Sequence, residues 1–447
     1  MPHLVTFRVD RAYKEVRQRG DEGAAEIAHH LFLARQIVGV ERCIPPLLRA
    51  ADVATNRLAH EQAEHHLRQA LELLASLPAS AERDRRELWV QTRLGLILGT
   101  TAGLQSPAAT TVFARSRALC ASTGDVGVEL PDLYGLFLFA WSGADEVAAH
   151  HQADQLLDLA AHSEDPKYLL GGHLAKGLVL FDQGALPPAG RHLERVGVLA
   201  DSLADPWLAS VLYADPRVTG RLLRSQVLAL TGPFEQSHYL ATAGLELARR
   251  IEHPFTEAVA LALVAFSAVL GRRPEAAQAA AEATIEFCTA RAFSHLVTVA
   301  VGVQGWAMAV RGDAAAGLPL VRHRLAEAGT DSISRVRHFH LALTAEVEQL
   351  AGLYDDALNT VATGLAEAGG SRFYEAELHR IRGTTLLAVS PTLAGEAAAS
   401  FLRAAEVARE QGAQLLVLRA EAGLQSCRQA QAGPGRTLRR AAPITSA

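Results

Sequence analysis

The feature that most limits what this chain can become is a spacing. From the middle of the sequence onward a small residue recurs at Ser237, Ala277, Gly317, Ala357 and Ala397. Each follows the last by about 40 residues, the length of a helix–turn–helix repeat. Four of them trail a short closing phrase: Leu230-Thr-Gly232, Leu270-Gly-Arg272, Val310-Arg-Gly312 and Leu350-Ala-Gly352. Earlier copies are looser, with Gly103 leading to Ala108, Gly143 to Ala148 and Gly184 to Ala189. Cys43 and Ala63 mark two further units. The step from Ala189 to Ser237 is longer, which places an irregular junction near 204–217, around Asp205-Pro-Trp207 and Tyr213-Ala-Asp-Pro216.

A unit of this length cannot bury its own apolar face, so the units must stack. Residues 253–292 show how one is built. Pro254 suits a first helical turn, where its missing N–H costs nothing. Phe255 to Leu270 is almost wholly apolar, as a helix covered on two sides requires. Gly271 ends it. Pro274 and Glu275 then open an Ala-rich second helix from Ala276 to Arg291, the acid favoured by the helix dipole. Small residues at its start let two helix backbones approach. Pro45 and Pro319 sit two residues after the small positions Cys43 and Gly317, so those helices are expected to start late or kink.

The expected fold is therefore all-α: a right-handed α-solenoid of about ten TPR-like hairpins. The array would span residues 21–431, after a poorly matched lead-in at 1–20 and before a disordered tail at 432–447. Composition agrees. Alanine, the cheapest residue to place in a helix, is the commonest, and only 6% of residues are aromatic.

Several functions are disfavoured. The apolar run Leu261–Leu270 is far short of the ~20 residues that span a bilayer. The first ten residues lack the plan of a signal peptide. Cys43, Cys120, Cys288 and Cys427 show no C-x-x-C spacing, so reduced thiols in a cytoplasmic protein are expected. A net charge of −5 gives no electrostatic reason to expect direct nucleic-acid binding. His29-His30, His65-His66 and His150-His151 lack the i, i+4 spacing and mixed donors of a zinc site, so no metal and no cofactor are expected. No G-x-S-x-G or H-E-x-x-H occurs, and Cys120 and Cys288 lie in Ala-rich helices, so no catalytic residue is assigned.

Particular phrases carry a resemblance. Ala24-Ala-Glu-Ile-Ala-His-His30, Pro45-Pro-Leu-Leu-Arg-Ala-Ala51, His65-His-Leu-Arg-Gln-Ala-Leu-Glu-Leu-Leu74 and Glu82-Arg-Asp-Arg-Arg-Glu-Leu88 are four of them. Tyr213-Ala-Asp-Pro216 and the long, chemically mixed Arg372-Phe-Tyr-Glu-Ala-Glu-Leu-His-Arg-Ile-Arg-Gly383 are two more. Over residues 22–425 the chain resembles the TPR region of bacterial STAND-type signalling ATPases, which also carry cyclase or LuxR-type output domains. The resemblance implies a sensor or regulatory repeat array. The phosphate loop G-x-x-x-x-G-K-[ST] is missing; Gly171-Gly-His-Leu-Ala-Lys-Gly177 has the wrong order. The chain is thus expected to be the repeat part alone, or a fragment of such a regulator.

Two groups of residues are candidates for partner or effector binding. Phe373, Glu377 and Arg380 share a helix face, with Tyr374 and His379 nearby; Glu377 and Arg380 are also spaced to pair as an internal salt link. Asp215 and Arg217 flank Pro216 at the junction, where Asp215 as N-cap and Pro216 as first helical residue is the preferred reading. Trp141, Trp207 and Trp306 read as packing residues. The function expected is a non-catalytic scaffold that holds a protein or peptide partner in its concave groove. The alternative is a small effector in a closed, aromatic-lined pocket. Leu415, Leu416, Leu418 and Leu424 on the last helix would support a homodimer if left uncovered.

Overall fold

The structure is a computed structural model that describes residues 23–123, 129–163, 165–203, 205, 207–328, 334–366 and 372–432. The expected lead-in at 1–20 and the tail beyond Ala432 lie outside the described residues, as does the Trp207 side chain.

Among the described residues the chain is helical and has no strand. The first part runs α1 (Ala24–Leu33), α2 (Arg35–Val38), α3 (Val40–Asn56), α4 (His60–Ala75), α5 (Ala81–Ala102), α6 (Pro107–Thr123), α7 (Leu130–Ser142), α8 (Glu146–His162), α9 (Pro166–Asp182) and α10 (Leu186–Leu203). The short α11 (Trp207–Val211) interrupts the alternation. Then follow α12 (Pro216–Thr231), α13 (Phe234–Ile251), α14 (Pro254–Leu270), α15 (Pro274–Thr289), α16 (Ser294–Val310), α17 (Ala314–Ala328), α18 (Ser334–Leu350), α19 (Tyr354–Ala366), α20 (Glu375–Val389), α21 (Ala394–Gln411) and α22 (Gln414–Ala432). From α3 onward consecutive helices pair as antiparallel hairpins, and from α5 onward the first helix of each hairpin also packs on the first helix of the next. This is an α-solenoid of TPR-like repeats.

The repeat phrase has a geometric meaning. Gly232, Arg272, Gly312 and Gly352 all take positive φ, at +126°, +53°, +107° and +78°. A left-handed residue just past a helix end turns the chain back for the second helix, and glycine adopts it without a Cβ clash. The small positions sit where the two helices of a hairpin touch. Ala277, Ala357 and Ala397 are fully buried, and a Cβ on Gly317 would lie 2.2 Å from the Gly305 carbonyl oxygen. α14 starts and stops as its sequence demands: His253 caps it, Pro254 is its first residue and Gly271 follows its last. The prolines behave otherwise than expected. α3 and α17 begin well before Pro45, Pro46 and Pro319 and run through them. Each proline lies past the first turn and removes one intrahelical N–H donor, two in α3 and one in α17, and the remaining bonds carry the helix on.

The solenoid also closes on itself. α5 meets α16, α7 meets α18 and α12 meets α22, helices that lie many repeats apart. The Tyr213 hydroxyl donates to the Gly99 carbonyl at 2.7 Å, and the Ser294 hydroxyl to the Thr101 carbonyl at 2.9 Å. The backbone N–H groups of Arg372 and Phe373 both donate to the Asp182 carbonyl, at 2.6 and 3.1 Å. The Phe373 ring stacks on Phe181 at 4.9 Å. As a result every residue from 130 to 140 and from 338 to 348 is buried. Helices covered on all sides line no open trough. The expected concave groove is, over this central stretch, an interior seam.

Candidate functional site

The seam holds a cluster of charge. Glu346 from α18 and Glu377 from α20 are both almost fully buried. Arg272 Nη1 donates to Glu346 Oε1 and Oε2 at 2.6 and 2.8 Å, and Arg380 Nη2 to Oε1 at 3.1 Å. The Trp306 indole N–H adds a bond to Oε2 at 2.7 Å. Glu377 Oε1 lies 2.9 Å from Arg380 Nε and 3.4 Å from Arg419 Nη1. Arg419 also donates to the Leu270 carbonyl. Burial alone would push the Glu346 carboxyl up, but Arg380 and Arg272, with the Trp306 bond, pull it down to about 2. The same carboxylates raise Arg380, against its own burial. Three guanidinium groups, two carboxylates and the Trp306 indole thus tie the α14 turn to α16, α18, α20 and α22.

Of the residues singled out in the sequence, Glu377 and Arg380 enter this cluster as the internal ion pair. Phe373 and Tyr374 do not face a groove. Phe373 contacts Phe181, Phe266 and Phe339, and Tyr374 packs on Phe339, so both belong to the closing seam. His379 lies apart from the cluster, half-buried, its ring held below the ordinary range by burial and raised only in part by Glu375. Asp215 caps α12: its carboxylate accepts the Arg217 backbone N–H at 2.9 Å and the Arg217 guanidinium at 2.6 Å. Sequence reasoning missed Arg272, Trp306, Glu346 and Arg419. One signal was available, because Arg272 stands where three other copies carry glycine.

A second feature is a cavity of about 440 Å³ beside the junction, partly open to solvent, with the exposed Asn56 and Glu129 in its lining. Trp89, Leu96 and Ile97 of α5, Val211 of α11, and Tyr213 and Phe255 form its apolar wall. Asp52, Asn56, His60, Arg93, Glu129 and His253 supply polar groups. Arg93 pairs with Asp52 and lays its guanidinium over Trp89 at 4.4 Å. Burial is the largest influence on both, raising Asp52 and lowering Arg93. The Thr55 and Thr100 hydroxyls are spent on the Ala51 and Leu96 carbonyls, each at 2.8 Å. Asp215 and Arg217 do not line this cavity, although the junction they mark does. Trp89 also borders an outer cleft of about 510 Å³ that reaches Asp132. The Asp132 carboxyl is buried and pushed up to about 7 by desolvation, opposed by bonds from the Glu129 backbone and Thr92.

Among the described residues no group of three or more His, Cys, Asp or Glu is placed to hold a metal, and no helix is long and apolar enough to cross a membrane. On α22, Leu416 is buried while Leu418 is exposed.

No protein-family model matches the chain, and no curated protein does. Among solved structures, a Rap protein complexed with competence and sporulation factor matches over 88% of this chain and 99% of its own, with 12% identity and a TM-score of 0.55. The Cut9–Hcn1 hetero-tetramer of the APC/C matches over 94% and 88%, with 12% identity and a TM-score of 0.46. The apo quorum sensor NprR from B. thuringiensis matches over 88% and 99%, with 12% identity and a TM-score of 0.38. The first of these likenesses places the chain in the TPR-like helical-repeat fold.

Proposed function

We propose that this chain is a non-catalytic TPR-type binding scaffold that takes its effector into the half-open pocket beside the junction. The observation that carries this reading is the aromatic-lined cavity beside the junction. A solenoid whose central helices are covered on all sides offers a partner no trough there, whereas a half-open pocket with an apolar wall and a few polar groups has the character of a small-ligand site. The cavity's hydroxyls and its guanidinium are already engaged, which argues against nucleophilic chemistry. The Rap protein of similar fold was seen with a bound factor, competence and sporulation factor, which is in keeping with an effector-holding solenoid. With the resemblance to STAND-type repeat arrays, the reading extends to a regulatory module of a bacterial signal-transduction or transcription system in the cytoplasm. Binding would shift how the two ends of the solenoid meet across the seam.

Thermal-shift screening against small metabolites and short peptides tests the proposal, run in parallel on the wild type and on Ala209→Trp. Ala209 is a buried wall residue of the cavity, and a tryptophan there fills it. A compound class that stabilises the wild type and not the variant supports the reading. Hits that stabilise both equally, or partners that bind only as whole proteins on the outer surface, overturn it in favour of an open scaffold.

A further inference from the structure

The pocket beside the junction is partly open, and the polar groups that a ligand can reach are those that stay in contact with solvent. Asp52 and Asn56 stand four residues apart on α3, so they share one face of that helix, and both line the pocket. The Asp52 side chain is 45% exposed, and Asn56 is exposed. Glu129, just before α7, is exposed too and borders both this pocket and the outer cleft beside Trp89.

These groups give the opening a sign. Among the described residues that line the pocket, Arg93 is the only guanidinium or ammonium group, set against the carboxylates of Asp52 and Glu129. Arg93 is already committed to Asp52 Oδ1 and to the face of Trp89. That bond uses one oxygen of Asp52 and leaves Oδ2 to accept from elsewhere. Burial is the leading influence on His60 and His253 and holds both below the ordinary histidine range, so they are neutral at pH 7. The ring nitrogens of His60 are closed off from solvent and take no part in recognition. At pH 7 the lining therefore carries more negative charge than positive.

Farther in, the space offers a polar head little. The Thr100 and Tyr213 hydroxyls are spent on the Leu96 and Gly99 carbonyls, at 2.8 and 2.7 Å. A charged head placed there would leave water without a partner. At the opening it keeps part of its water and gains acceptors.

Taking this pocket as the effector site, we propose that it binds an organic cation: an amine whose ammonium group sits at the opening beside Asp52 and Asn56 and whose apolar body lies against Leu58, Trp89 and Tyr213. These three side chains line the pocket and are only partly covered by the protein. An ammonium group gives three hydrogen bonds and takes none. Asp52 Oδ2 and the Asn56 amide oxygen answer it, and Glu129 adds attraction through space. A carboxylate head of the same shape meets two carboxylates and no uncommitted cation. Because the head stays wet, the preference is modest and is screened by salt. A volume of about 440 Å³ falls within the ~300–1,000 Å³ common for small-ligand sites.

The test uses three probes of one shape: 3-phenylpropylamine, 3-phenylpropanol and 3-phenylpropionate, titrated at pH 7 into the full chain by ligand-observed NMR. The amine should bind at least threefold more tightly than the alcohol and at least tenfold more tightly than the carboxylate. Its lead over the alcohol should shrink between about 20 and about 200 mM salt. Asn56→Asp adds a carboxylate at an exposed position and should tighten the amine at least twofold while leaving the alcohol unchanged, a split that a purely structural effect would not give. Carboxylate binding as tight as amine binding, or amine binding unchanged by Asn56→Asp, overturns the assignment of a cationic ligand. If no probe binds while screening hits still depend on Ala209, the cation class falls and the pocket reading stands. If the amine binds a folded Ala209→Trp as well as the wild type, the pocket reading itself falls.

Discussion

Arg272 Nη1 stands 2.6 Å from Glu346 Oε1, across 74 residues of chain, and does so from a backbone held at φ +53°. The neighbouring repeats place glycine at that turn. A non-glycine residue in the left-handed region costs roughly 1–2 kcal/mol. The ion pair offsets that cost, because removing one partner of a buried pair costs about 3–5 kcal/mol. A third of the Arg272 side chain remains exposed, so water recovers part of this. Arg272→Gly should therefore lower stability by about 2 kcal/mol even though it relieves the backbone. Arg272→Ala should be worse by about 1 kcal/mol, since it loses the pair and keeps the strain. Urea melts of the three proteins decide it: a stabilised Arg272→Gly would mean that the pair contributes nothing.

The same cluster sets an acid limit. The Glu346 carboxyl falls from an ordinary 4.5 to about 2 on folding. A depressed carboxylate gives stability that is fully present above pH 4.5 and lost as pH falls through 2. The shift corresponds to about 3 kcal/mol. His295 and His173 act earlier, because burial lowers each to about 4. Their share is full above the ordinary 6.5 and is lost as pH falls through 4. Denaturant midpoints should therefore decline in two stages. Glu346→Gln should remove the slope below pH 4.5 and keep the slope above it; an unchanged acid limb would refute the role of Glu346.

Asp132 works in the opposite direction. Its carboxyl is buried, its Oδ1 has no hydrogen-bond partner and its pKa is raised from 3.8 to about 7. A raised pKa favours the protonated folded state, so this group's contribution is fullest below pH 3.8 and is lost as pH rises through 7. Asp132→Asn should leave the thermal midpoint unchanged at pH 4 and raise it by several degrees at pH 8. A gain of the same size at both pH values would show that charge burial is not its cause.

Some of this could be read from the sequence and some could not, for reasons that particular residues make plain. Pro254, Gly271 and Pro274 state where α14 and α15 begin and end, because capping and turn geometry are local. The recurring Gly232, Gly312 and Gly352 state the repeat for the same reason. The seam is different. Phe373 and Asp182 meet because of how far each repeat rotates on the last, a small angle summed over several hairpins. Sequence periodicity gives the face of each helix and not that sum. Phe373 and Tyr374 thus read as a ligand face when they are the seam itself. Glu346 was invisible because its three partners lie in other repeats. His60 and His253 lie in different repeats, and only closure makes them walls of one cavity.

The tightest contact in the array predicts the sharpest packing effect. A Cβ on Gly317 would stand 2.2 Å from the Gly305 carbonyl oxygen and 3.2 Å from the Ala309 backbone nitrogen. The first obstacle is backbone, so no rotamer change relieves it, and α16 would have to move off α17. Overpacking of this kind costs roughly 1–3 kcal/mol, and a backbone obstacle belongs at the upper end. Gly395 is the control. It lies in the first turn of α21 with nothing within 4 Å of an added Cβ. Gly395→Ala should gain up to about 1 kcal/mol from helix propensity. Thermal melts of both variants should move in opposite directions, Gly317→Ala down and Gly395→Ala up. If Gly317→Ala melts with the wild type, the two helix backbones are not in contact there, and the small residue at every fortieth position has lost its physical reason.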